Sequence, residues 1–337
     1  MAHTNHRILL ADRPSGIPGP EHFQADGEPA RAPGPGEILV ATRYISIDPA
    51  MRSWIGAGPS YVRQVGIGEP MRAGGIAQVL ESRATGFAPG DWVQGRTGWQ
   101  SHPTLRGDQA QKLDLSIGSV EDWAGPLGTS ALTAYFGLRD VGSLRPGDTL
   151  LISGAAGGVG QVAAQIGQIE ACRVIGIAGG SEKCQYLRDT LRLDAVIDYK
   201  AEPDLQAAIH RTCPEGVDVY FDNVGGETLD AALTALRLGA RVVSCGRISQ
   251  AGVTEPYGVR NLGTLGGKRV RMQGFLVFDY HDRYPEARAW LAHHVRAGRL
   301  RQRLHIVEGL ENAPQALAML FNGGNNGKLV IGLEVQV

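Results

Sequence analysis

The chain reads Pro146-Gly-Asp-Thr-Leu-Leu-Ile-Ser153, then Gly154-Ala-Ala-Gly-Gly-Val-Gly160, then Gln161-Val-Ala-Ala-Gln-Ile-Gly-Gln-Ile169 and Cys172-Arg-Val-Ile-Gly-Ile177. An apolar run, a glycine turn, an amphipathic segment and a second apolar run predict one strand–helix–strand unit. The glycines let the backbone approach a pyrophosphate, and the N-terminus of the following helix offers free N–H groups. The stretch predicts a dinucleotide site at Gly157, Gly158, Val159 and Gly160. The alternative is a structural glycine turn, because Ala155 fills the first glycine position of the motif.

The residues after the second predicted strand indicate which dinucleotide is bound. An NAD site usually has an Asp or Glu about 20 residues beyond the glycines, where it binds the ribose 2′-hydroxyl. This chain has Ala178-Gly-Gly-Ser-Glu-Lys183 there, in which Ser181 is expected to be a helix N-cap and Glu182 lies in the first turn. Lys183 opposes the helix dipole at that position, and a bound 2′-phosphate would remove the conflict. Lys183 therefore favours NADPH, with a solvated surface lysine as the alternative.

Length and charge indicate a globular protein of two domains. At 337 residues each domain can bury a core, and 33 basic and 34 acidic residues leave a net charge of −1. That balance favours neither nucleic acid nor a membrane surface as a partner. The sequence has no apolar run of the roughly 20 residues that span a bilayer, and its first residues lack the apolar core of a signal peptide. We expect a soluble, cytoplasmic protein.

The four cysteines, Cys172, Cys184, Cys213 and Cys245, are dispersed along the second half of the chain. None forms a Cys-x-x-Cys pair, whereas a metal site needs Cys and His in a clustered spacing. We therefore expect free thiols in a reducing compartment and no bound metal.

Short β-type runs separated by Gly and Pro turns fill the first part of the chain. Strands are predicted near 7–11, 37–47, 75–81, 91–94 and 109–113, with a loop from Pro14 to Gly36. This pattern is typical of a compact, mostly β domain of the partly closed barrel type. A last strand, in which apolar residues alternate from Leu329 to Val337, is expected to be half-buried and to return to this domain.

Strands and helices alternate after the composition changes near Trp123. A helix is predicted over 128–138, strands at 195–199, 217–222, 240–245 and 269–277, and helices near 183–193, 204–212, 227–238 and 285–298. Near-continuous apolar strands in such an alternation indicate a parallel sheet that is covered on both faces. The predicted fold class is therefore α/β, with a doubly wound parallel sheet beside the β domain.

Several motifs, in one order over nearly the whole chain, match those of a known family. They are Ser46-Ile-Asp-Pro-Ala-Met-Arg52, Leu132-Thr-Ala-Tyr-Phe-Gly-Leu138, Ser153-Gly-Ala-Ala-Gly-Gly-Val-Gly160, Phe221-Asp-Asn-Val-Gly-Gly226, Cys245-Gly-Arg-Ile-Ser249 and Gly323-Gly-Asn-Asn-Gly-Lys328. The chain resembles the zinc-free medium-chain dehydrogenase/reductases. Within them it is most similar to the NADP-dependent alkenal/one oxidoreductases, which include leukotriene B4 dehydrogenase/prostaglandin reductase and plant double-bond reductases.

The resemblance implies a domain organisation. A GroES-like catalytic domain would comprise residues 1–125 and 305–337, a Rossmann domain residues 126–304, and the active site a cleft between them. A homodimer joined edge to edge through the nucleotide-binding sheets is implied as well. Zinc-dependent relatives carry metal ligands in the first domain, whereas residues 1–171 of this chain contain no cysteine.

Site residues follow from the resemblance position by position. Gly157 to Gly160 would meet the pyrophosphate, Lys183 the 2′-phosphate and Tyr199 the adenosine phosphate. The nicotinamide side would be lined by Asn223 and by the 245–251 loop with Cys245, Gly246, Ile248 and Ser249. Phe275, Leu276 and Val277 would present backbone to the carboxamide, and Asn325 would close the pocket from the other domain. A packing or turn role is the alternative for most of these residues, and Phe275 and Leu276 could be plain core strand residues.

The catalytic positions depart from the family pattern. Animal members have tyrosines at the positions of Ala50, Ala251 and Gly267, and the last of these is usually assigned to the substrate oxygen. A wider cleft is therefore expected. The resemblance implies that the nicotinamide ribose 2′-hydroxyl donates to the substrate oxygen. Tyr61 and Tyr257 are our candidates for a second donor, because each lies in a loop with Gly or Pro and has a side chain of pKa about 10. The alternative is that each ring anchors its own loop.

We expect reduction of the carbon–carbon double bond of α,β-unsaturated aldehydes and ketones, by hydride transfer from NADPH to the β-carbon. A quinone reductase would use the same cofactor site, so the glycine motif does not separate the two. A secondary-alcohol dehydrogenase is disfavoured, because the sequence has neither zinc ligands nor a Tyr-x-x-x-Lys pair. A non-catalytic NADPH-binding protein is the remaining alternative.

Overall fold

The computed structural model describes residues 3–58 and 60–334 and distributes their strands over three sheets. The strands of the first part are β1 (Thr4–Leu10), β2 (Phe23–Pro29), β3 (Glu37–Ser46), β4 (Gly75–Ser82), β5 (Trp92–Gly95), β6 (Thr104–Arg106) and β7 (Gln111–Lys112). They are followed by β8 (Thr149–Ser153), β9 (Arg173–Ala178), β10 (Ala195–Asp198), β11 (Val217–Asp222), β12 (Leu236–Ser244) and β13 (Arg271–Gly274). The last strands are β14 (Leu304–Glu308) and β15 (Lys328–Gly332).

Helices lie mainly between the strands of the middle part. They are α1 (Met51–Ile55), α2 (Val120–Ala124), α3 (Thr129–Phe136), α4 (Gly158–Ile169), α5 (Ser181–Gln185), α6 (Leu205–Thr212), α7 (Gly226–Thr234), α8 (Gly263–Gly267), α9 (Tyr284–Arg296) and α10 (Ala313–Asn322). Both α3 and α5 continue into a π-helical turn, Gly137–Val141 and Tyr186–Thr190.

The middle strands form a six-stranded parallel sheet in the order β10-β9-β8-β11-β12-β13. The order reverses beside β8, which makes the sheet doubly wound. Leu150, Leu151 and Ile152 on β8 are each 0% exposed, because helices cover both faces of the sheet. The predicted Rossmann domain is confirmed.

The other strands build a GroES-like domain. A seven-stranded sheet has the order β14-β15-β3-β4-β5-β7, with β6 pairing to β3, and β1 and β2 form a separate antiparallel pair. β15 pairs antiparallel with β3, so Val330 lies opposite Ser46 and Gly332 opposite Tyr44. The end of the chain therefore lies in the same sheet as its beginning. The domain bounds at 125–126 and 304–305 stay a prediction.

Some local predictions are wrong, and long-range contacts explain why. β2 lies inside the segment predicted as a loop, because its polar residues pair with β1: Arg7 forms ion pairs with Asp26 and Glu28. β12 begins at Leu236 rather than at 240, and β13 ends at Gly274 rather than at 277.

The last strand also differs from the prediction. β15 is buried on both faces rather than half-buried, because it is a central strand between β14 and β3. Its residues Leu329 and Ile331 are 1% and 0% exposed, and Val330 between them is 1% exposed. The predicted strand residues Val335 and Val337 lie outside the described residues.

Buried polar side chains fasten the segment before β14 to α4 within the Rossmann domain, and α9 to the GroES-like domain. Gln165 on α4 is 4% exposed, and its amide donates to the Arg301 carbonyl at 2.7 Å and accepts from the Arg301 N–H at 3.0 Å. Arg288 on α9 is also 4% exposed and donates to Gln111 at 2.6 Å and to Gln94 at 2.7 Å. Since a buried polar group is costly without partners, these contacts hold the segment before β14, and α9, in defined positions.

None of the helices within residues 3–58 and 60–334 has both the length and the apolar character to cross a bilayer. The cytoplasmic location stays a prediction.

Candidate functional site

The predicted cofactor residues follow the carboxyl ends of neighbouring strands. β8 ends at Ser153 before the glycine loop, β9 at Ala178 before Lys183, β11 at Asp222 and β12 at Ser244. Because the carboxyl ends of parallel strands meet at one edge, ligands of doubly wound sheets bind there. The fold thereby brings residues that are far apart in sequence to a single edge of the Rossmann sheet.

The glycine loop turns directly into α4. Gly157 is the N-cap and offers no side-chain acceptor, so an anion can satisfy the first N–H groups of the helix. Gly154 has a φ of +60°, a conformation that favours glycine. A Cβ on Gly160 would lie 2.2 Å from the Gly154 carbonyl oxygen, so only glycine fits at that position. Val159 lies in the first turn of α4 and is half-buried.

Lys183 lies in a pocket to which the loop after β9 and the loop after α10 contribute. The pocket has a volume of about 270 Å³ and is lined by residues 179–183 and by Gly323, Gly324 and Asn326 from the loop after α10. The Lys183 ammonium donates to the Gly323 carbonyl at 2.8 Å. Burial, and to a smaller extent the nearby Lys200, lowers the pKa of this ammonium. A phosphate in the pocket would offset both effects, because negative charge favours the protonated lysine.

The start of α5 differs from the prediction for Ser181. The N-cap is Gly180, with a φ of +95°, and Ser181 is the first residue of the helix. Ser181 as N-cap is therefore wrong, because a left-handed glycine already occupies that position. The Ser181 hydroxyl is instead exposed at the pocket beside Lys183.

Tyr199 and Lys200 complete this side of the site. The Tyr199 ring lies against Gly179, where an added Cβ would be 2.5 Å from a ring carbon, and the residue is 47% exposed. Asp198 ties the two strand ends together, because its carboxylate accepts from the N–H of Gly180 at 2.9 Å and of Lys200 at 3.0 Å. Lys183 therefore lines the small pocket itself, and Lys200 lies near enough to lower the pKa of the Lys183 ammonium.

The loops after β11 and β12 are hydrogen-bonded to each other. Asn223 donates its side-chain amide to the Ser153 carbonyl at 2.8 Å. The N–H groups of Cys245 and Gly246 donate to the Asp222 carbonyl at 2.9 and 3.0 Å. The Ser249 hydroxyl donates to the Val224 carbonyl at 2.7 Å, and the Ile248 N–H to the Asn223 carbonyl at 3.4 Å. The structure brings Asn223, Cys245, Gly246, Ile248 and Ser249 together as one wall.

The remaining predicted cofactor residues lie at two further places. Phe275 and Leu276 follow the end of β13; Phe275 is half-buried and Leu276 is 37% exposed. Val277 begins a 3-10 helical segment and is 8% exposed. Phe275 and Leu276 are therefore not core strand residues. Asn325 lies in the loop that meets Lys183, where its amide donates to the Gly327 carbonyl at 2.8 Å.

The GroES-like domain faces the glycine loop with an ion pair whose lysine is buried and whose carboxylate is half-buried. The Lys328 ammonium donates to Asp48 Oδ1 at 2.7 Å, and Lys328 is 5% exposed. Asp48 precedes α1, whose Trp54 donates its indole N–H to the Tyr61 hydroxyl oxygen at 3.3 Å. Tyr61 is 47% exposed, and burial is the main cause that raises the pKa of its hydroxyl. The Tyr61 hydroxyl therefore stays protonated at physiological pH and can donate a hydrogen bond.

Tyr257 has a different environment. Its hydroxyl donates to the carboxylate of Asp230 on α7 at 2.9 Å, and Asp230 also accepts from the N–H groups of Arg260 and Asn261. The Tyr257 hydroxyl proton is thus already bonded, and the ring anchors its loop to α7. Of the two tyrosine candidates, Tyr61 is the one whose hydroxyl proton has no acceptor among the described residues.

The residues present fit a phosphorylated dinucleotide. Gly160 leaves room for a close backbone approach, and α4 presents its N-terminus. Lys183 after β9 and Lys200 after β10 supply positive charge. Over the described ranges, no three His, Cys, Asp or Glu side chains are grouped so that they could hold a metal ion.

Sequence reasoning missed three residues of this region. Lys200 directly follows the predicted Tyr199, so its place at the strand end could have been noticed. Lys328 closes the Gly323–Lys328 motif, but a lysine that opens an apolar strand gives no sign of its distant partner Asp48. Asn326 lines the Lys183 pocket next to the predicted Asn325.

Comparisons with known proteins agree over the whole chain. Residues 6–113 match the family described as the N-terminal domain of oxidoreductase, and residues 158–293 match that described as zinc-binding dehydrogenase. The chain is 39% identical over 333 residues to the NADPH-dependent curcumin reductase of Escherichia coli. The alignment covers 97% of this chain and 96% of that protein. It is 37% identical over 333 residues to the 2-alkenal reductase (NADP(+)-dependent) of Nicotiana tabacum, with 97% of each covered.

Solved structures agree with this placement. CurA from Vibrio vulnificus, determined alone and in complex with NADPH, superposes with a TM-score of 0.92 at 40% identity, over 98% of this chain and 99% of that chain. The Escherichia coli quinone oxidoreductase complexed with NADPH gives a TM-score of 0.77 at 25% identity, over 97% and 99%. The chain belongs to the NADP-dependent alkenal/one oxidoreductases of the medium-chain dehydrogenase/reductase family, and its cofactor is NADPH.

Proposed function

We propose that this NADPH-dependent oxidoreductase reduces the carbon–carbon double bond of α,β-unsaturated aldehydes and ketones. The names of two full-length relatives, a 2-alkenal reductase and a curcumin reductase, support this substrate class. Both names describe reduction of molecules in which an alkene is conjugated to a carbonyl group.

Reduction of an enone requires a hydrogen-bond donor beside the carbonyl oxygen of the substrate. When bound, NADPH supplies a hydride. Hydride addition at the β-carbon of an enone places negative charge on the carbonyl oxygen. Loss of a single preorganised donor to such an oxygen costs roughly 2.7–4 kcal/mol of transition-state stabilisation. The protein must therefore place a neutral donor beside that oxygen.

The observation that carries the proposal is the free hydroxyl proton of Tyr61. Its oxygen already accepts from Trp54 Nε1 at 3.3 Å, which polarises the O–H bond. In the part of the chain that the structure describes, no group accepts the Tyr61 proton. We assign to this hydroxyl a hydrogen bond to the substrate oxygen, and the single proton that completes the product reaches the α-carbon from solvent.

We assign the cofactor roles as follows. Lys183, with Lys200 and Ser181 beside it, holds the 2′-phosphate, Tyr199 lies by the adenosine phosphate, and the glycine loop from Gly157 to Gly160 meets the pyrophosphate. The nicotinamide side is lined by Asn223, Cys245, Gly246, Ile248, Ser249, Phe275, Leu276 and Val277, and Asn325 closes the pocket.

A turnover panel tests the reaction. Oxidation of NADPH is followed with trans-2-hexenal, with 4-phenylbut-3-en-2-one and with a benzoquinone. Reduction of NADP⁺ is followed with the saturated secondary alcohol 4-phenylbutan-2-ol, and we expect none. We expect the enal and the enone to react and to yield saturated products. Faster reduction of the quinone than of either alkene would assign the protein to quinone reduction instead. Tight NADPH binding without turnover of any compound would make it a binding protein.

We also propose that a second copy of the chain pairs along β13. This strand is at the edge of the Rossmann sheet, and its four residues are all exposed. Unpaired backbone groups of an edge strand are a template for pairing, and Met272, Leu276 and Phe278 add apolar surface at 36%, 37% and 53% exposure.

Light scattering after size-exclusion chromatography tests this interface. We expect a dimer for the native chain and a monomer for Phe278→Glu. Ile17→Glu, at an apolar residue of the other domain that is 44% exposed, is the matched control and should remain dimeric. A native monomer at micromolar concentration would contradict the proposal.

A further inference from the structure

We propose that Lys328 is a positioning residue for the reductase reaction: it holds the glycine loop of the Rossmann domain in register with the Asp48–Tyr61 segment of the GroES-like domain. This inference rests on the proposed function, because it concerns how the two halves of that site are aligned.

The Lys328 ammonium uses all three of its protons inside the GroES-like domain. It donates to Asp48 Oδ1 at 2.7 Å, to Ser46 Oγ at 2.6 Å and to the Ile47 carbonyl at 3.1 Å. Ser46 Oγ donates in turn to Asp48 Oδ2 at 2.5 Å. Since Lys328 is only 5% exposed, these partners keep its charge in the interior. The ammonium is thereby fixed at one point of the GroES-like domain.

The aliphatic part of the same side chain packs on the other domain. A Cβ added to Gly158 would lie 2.8 Å from Lys328 Cδ, so the lysine stem occupies the space that a side chain would need there. Gly158 is the first residue of α4, and its carbonyl accepts from Gln302 at 2.5 Å. The glycine loop is therefore held both by the Lys328 stem and by the segment that leads into β14.

The partners of Lys328 are connected through α1 to Tyr61, the proposed hydrogen-bond donor to the substrate oxygen. The Asp48 carbonyl accepts from the Met51 N–H at 3.0 Å where α1 begins, and Trp54 of this helix donates to Tyr61. A continuous series of contacts thus runs from Gly158 through Lys328 and Asp48 to Tyr61. A displacement of about 1 Å between reacting groups can cost roughly 100-fold in rate, so this series can control turnover without touching the substrate.

Stability alone is a poor reason for a lysine at this place. A buried ion pair can often be replaced by apolar residues of similar size without loss of stability, whereas its directional bonds fix one geometry. A methionine would fill the same space beside Gly158 but would not fasten to Asp48 and Ser46. Alignment of the two domains explains the charge better than packing does.

The variant Lys328→Met separates the two roles, because it keeps the stem and removes the ammonium. The dissociation constant of NADPH is measured by fluorescence, and kcat and KM are measured with 4-phenylbut-3-en-2-one. We expect kcat to fall by at least about 10-fold while the NADPH dissociation constant changes by less than about 3-fold. Asp48→Asn should have the same effect, and the double variant should be no worse than either single one, because both residues belong to one unit.

Amide hydrogen exchange adds a readout that does not depend on turnover. With NADPH bound, Lys328→Met should exchange faster than the wild type both in residues 157–161 and in residues 54–62. The control is Arg241→Met, which removes the ion pair of Arg241 with Asp148 inside the Rossmann domain. This control should lower stability and leave kcat and the exchange of residues 54–62 unchanged.

Three results would overturn the inference. They are an unchanged kcat in Lys328→Met, an NADPH dissociation constant that rises by the same factor as kcat falls, and an equal loss of kcat in Arg241→Met. If the wild type reduced no enone, the proposed function would fail, and hydrogen exchange would still decide whether Lys328 couples the two segments.

Discussion

A single side chain, Lys183, separates NADPH from NADH in this account. Its ammonium bonds to the Gly323 carbonyl at 2.8 Å, and burial lowers its pKa. A charge-assisted hydrogen bond to a phosphate is worth roughly 1.5–3 kcal/mol, which corresponds to about 10- to 100-fold in affinity.

We expect Lys183→Ala to raise the KM for NADPH by about 10- to 100-fold, because the bond to the 2′-phosphate is lost. The KM for NADH should stay unchanged, since that cofactor has no 2′-phosphate. Steady-state kinetics with both cofactors measures the effect, and Lys112→Ala, an exposed lysine paired with Asp91, is the control. An equal rise for both cofactors would refute the assignment.

We expect opposite effects on kcat and Tm when the two candidate tyrosines are replaced by phenylalanine. Tyr61→Phe removes the proposed donor, so kcat for an enone should fall by about 100-fold or more, while NADPH binding stays unchanged. Tyr257→Phe removes a bond to Asp230 instead, so it should lower Tm by roughly 2–4 °C without lowering kcat. Kinetics and thermal unfolding of both variants decide the matter, and a larger loss of kcat in Tyr257→Phe would reverse the assignment.

A strand or helix can be predicted from the sequence when the residues next to it along the chain determine its structure. The β8–α4–β9 unit is confirmed almost to the residue, because continuous apolar strands and a glycine turn define it locally. β2 was not predictable, since its polar residues form a strand only by pairing with β1 across a long loop. The burial of β15 likewise depends on β14 and β3, which no periodicity within the strand reveals.

The glycine loop gives a prediction at this scale. Gly160→Ala places a Cβ about 2.2 Å from the Gly154 carbonyl and 2.7 Å from the Ala155 Cα, and backbone atoms cannot give way cheaply. We therefore expect α4 to shift and NADPH binding to weaken beyond detection in a calorimetric titration. Gly266→Ala, with open space around its added Cβ, should bind NADPH like the wild type. Wild-type affinity in Gly160→Ala would show that the loop does not approach the cofactor closely.

At the scale of the whole molecule, the placement of the site depends on hydrogen bonds between residues that are far apart in sequence. The glycine loop, Lys183 and Asn223 could be proposed from motifs, because each follows a strand end whose position the sequence predicts. The bonds between Lys328 and Asp48, and between Arg288 and the strands β5 and β7, could not, since their partners are far apart in sequence. The site is therefore better predicted on its Rossmann side than on its GroES-like side.

The fold also protects its thiols. Burial is the main cause that raises the pKa of all four cysteines, to about 12 for Cys172 and Cys245. A raised thiol pKa keeps the neutral, unreactive form, although part of Cys245 is accessible. We expect the native protein to resist alkylation by N-ethylmaleimide at pH 8, and the protein in guanidinium chloride to take up four equivalents, as measured by mass spectrometry.

The same groups predict how stability changes at alkaline pH. Because the folded pKa is raised, the folded state binds more protons than the unfolded state between the ordinary thiol pKa of about 9 and the folded value of about 12. The free energy of unfolding should fall as pH rises through that window. Denaturant titrations at a series of pH values measure it, and rapid alkylation of a native thiol at pH 8 would contradict the predicted environment.

The most direct test of the account follows the transferred hydrogen. The protein is incubated with NADPH that carries deuterium at carbon 4, on either face, and with 4-phenylbut-3-en-2-one, and the product is analysed by NMR. We predict a saturated ketone with one deuterium at the β-carbon, from one of the two labelled faces. Deuterium at the former carbonyl carbon of an allylic alcohol, or no transfer although NADPH is bound, would contradict the account.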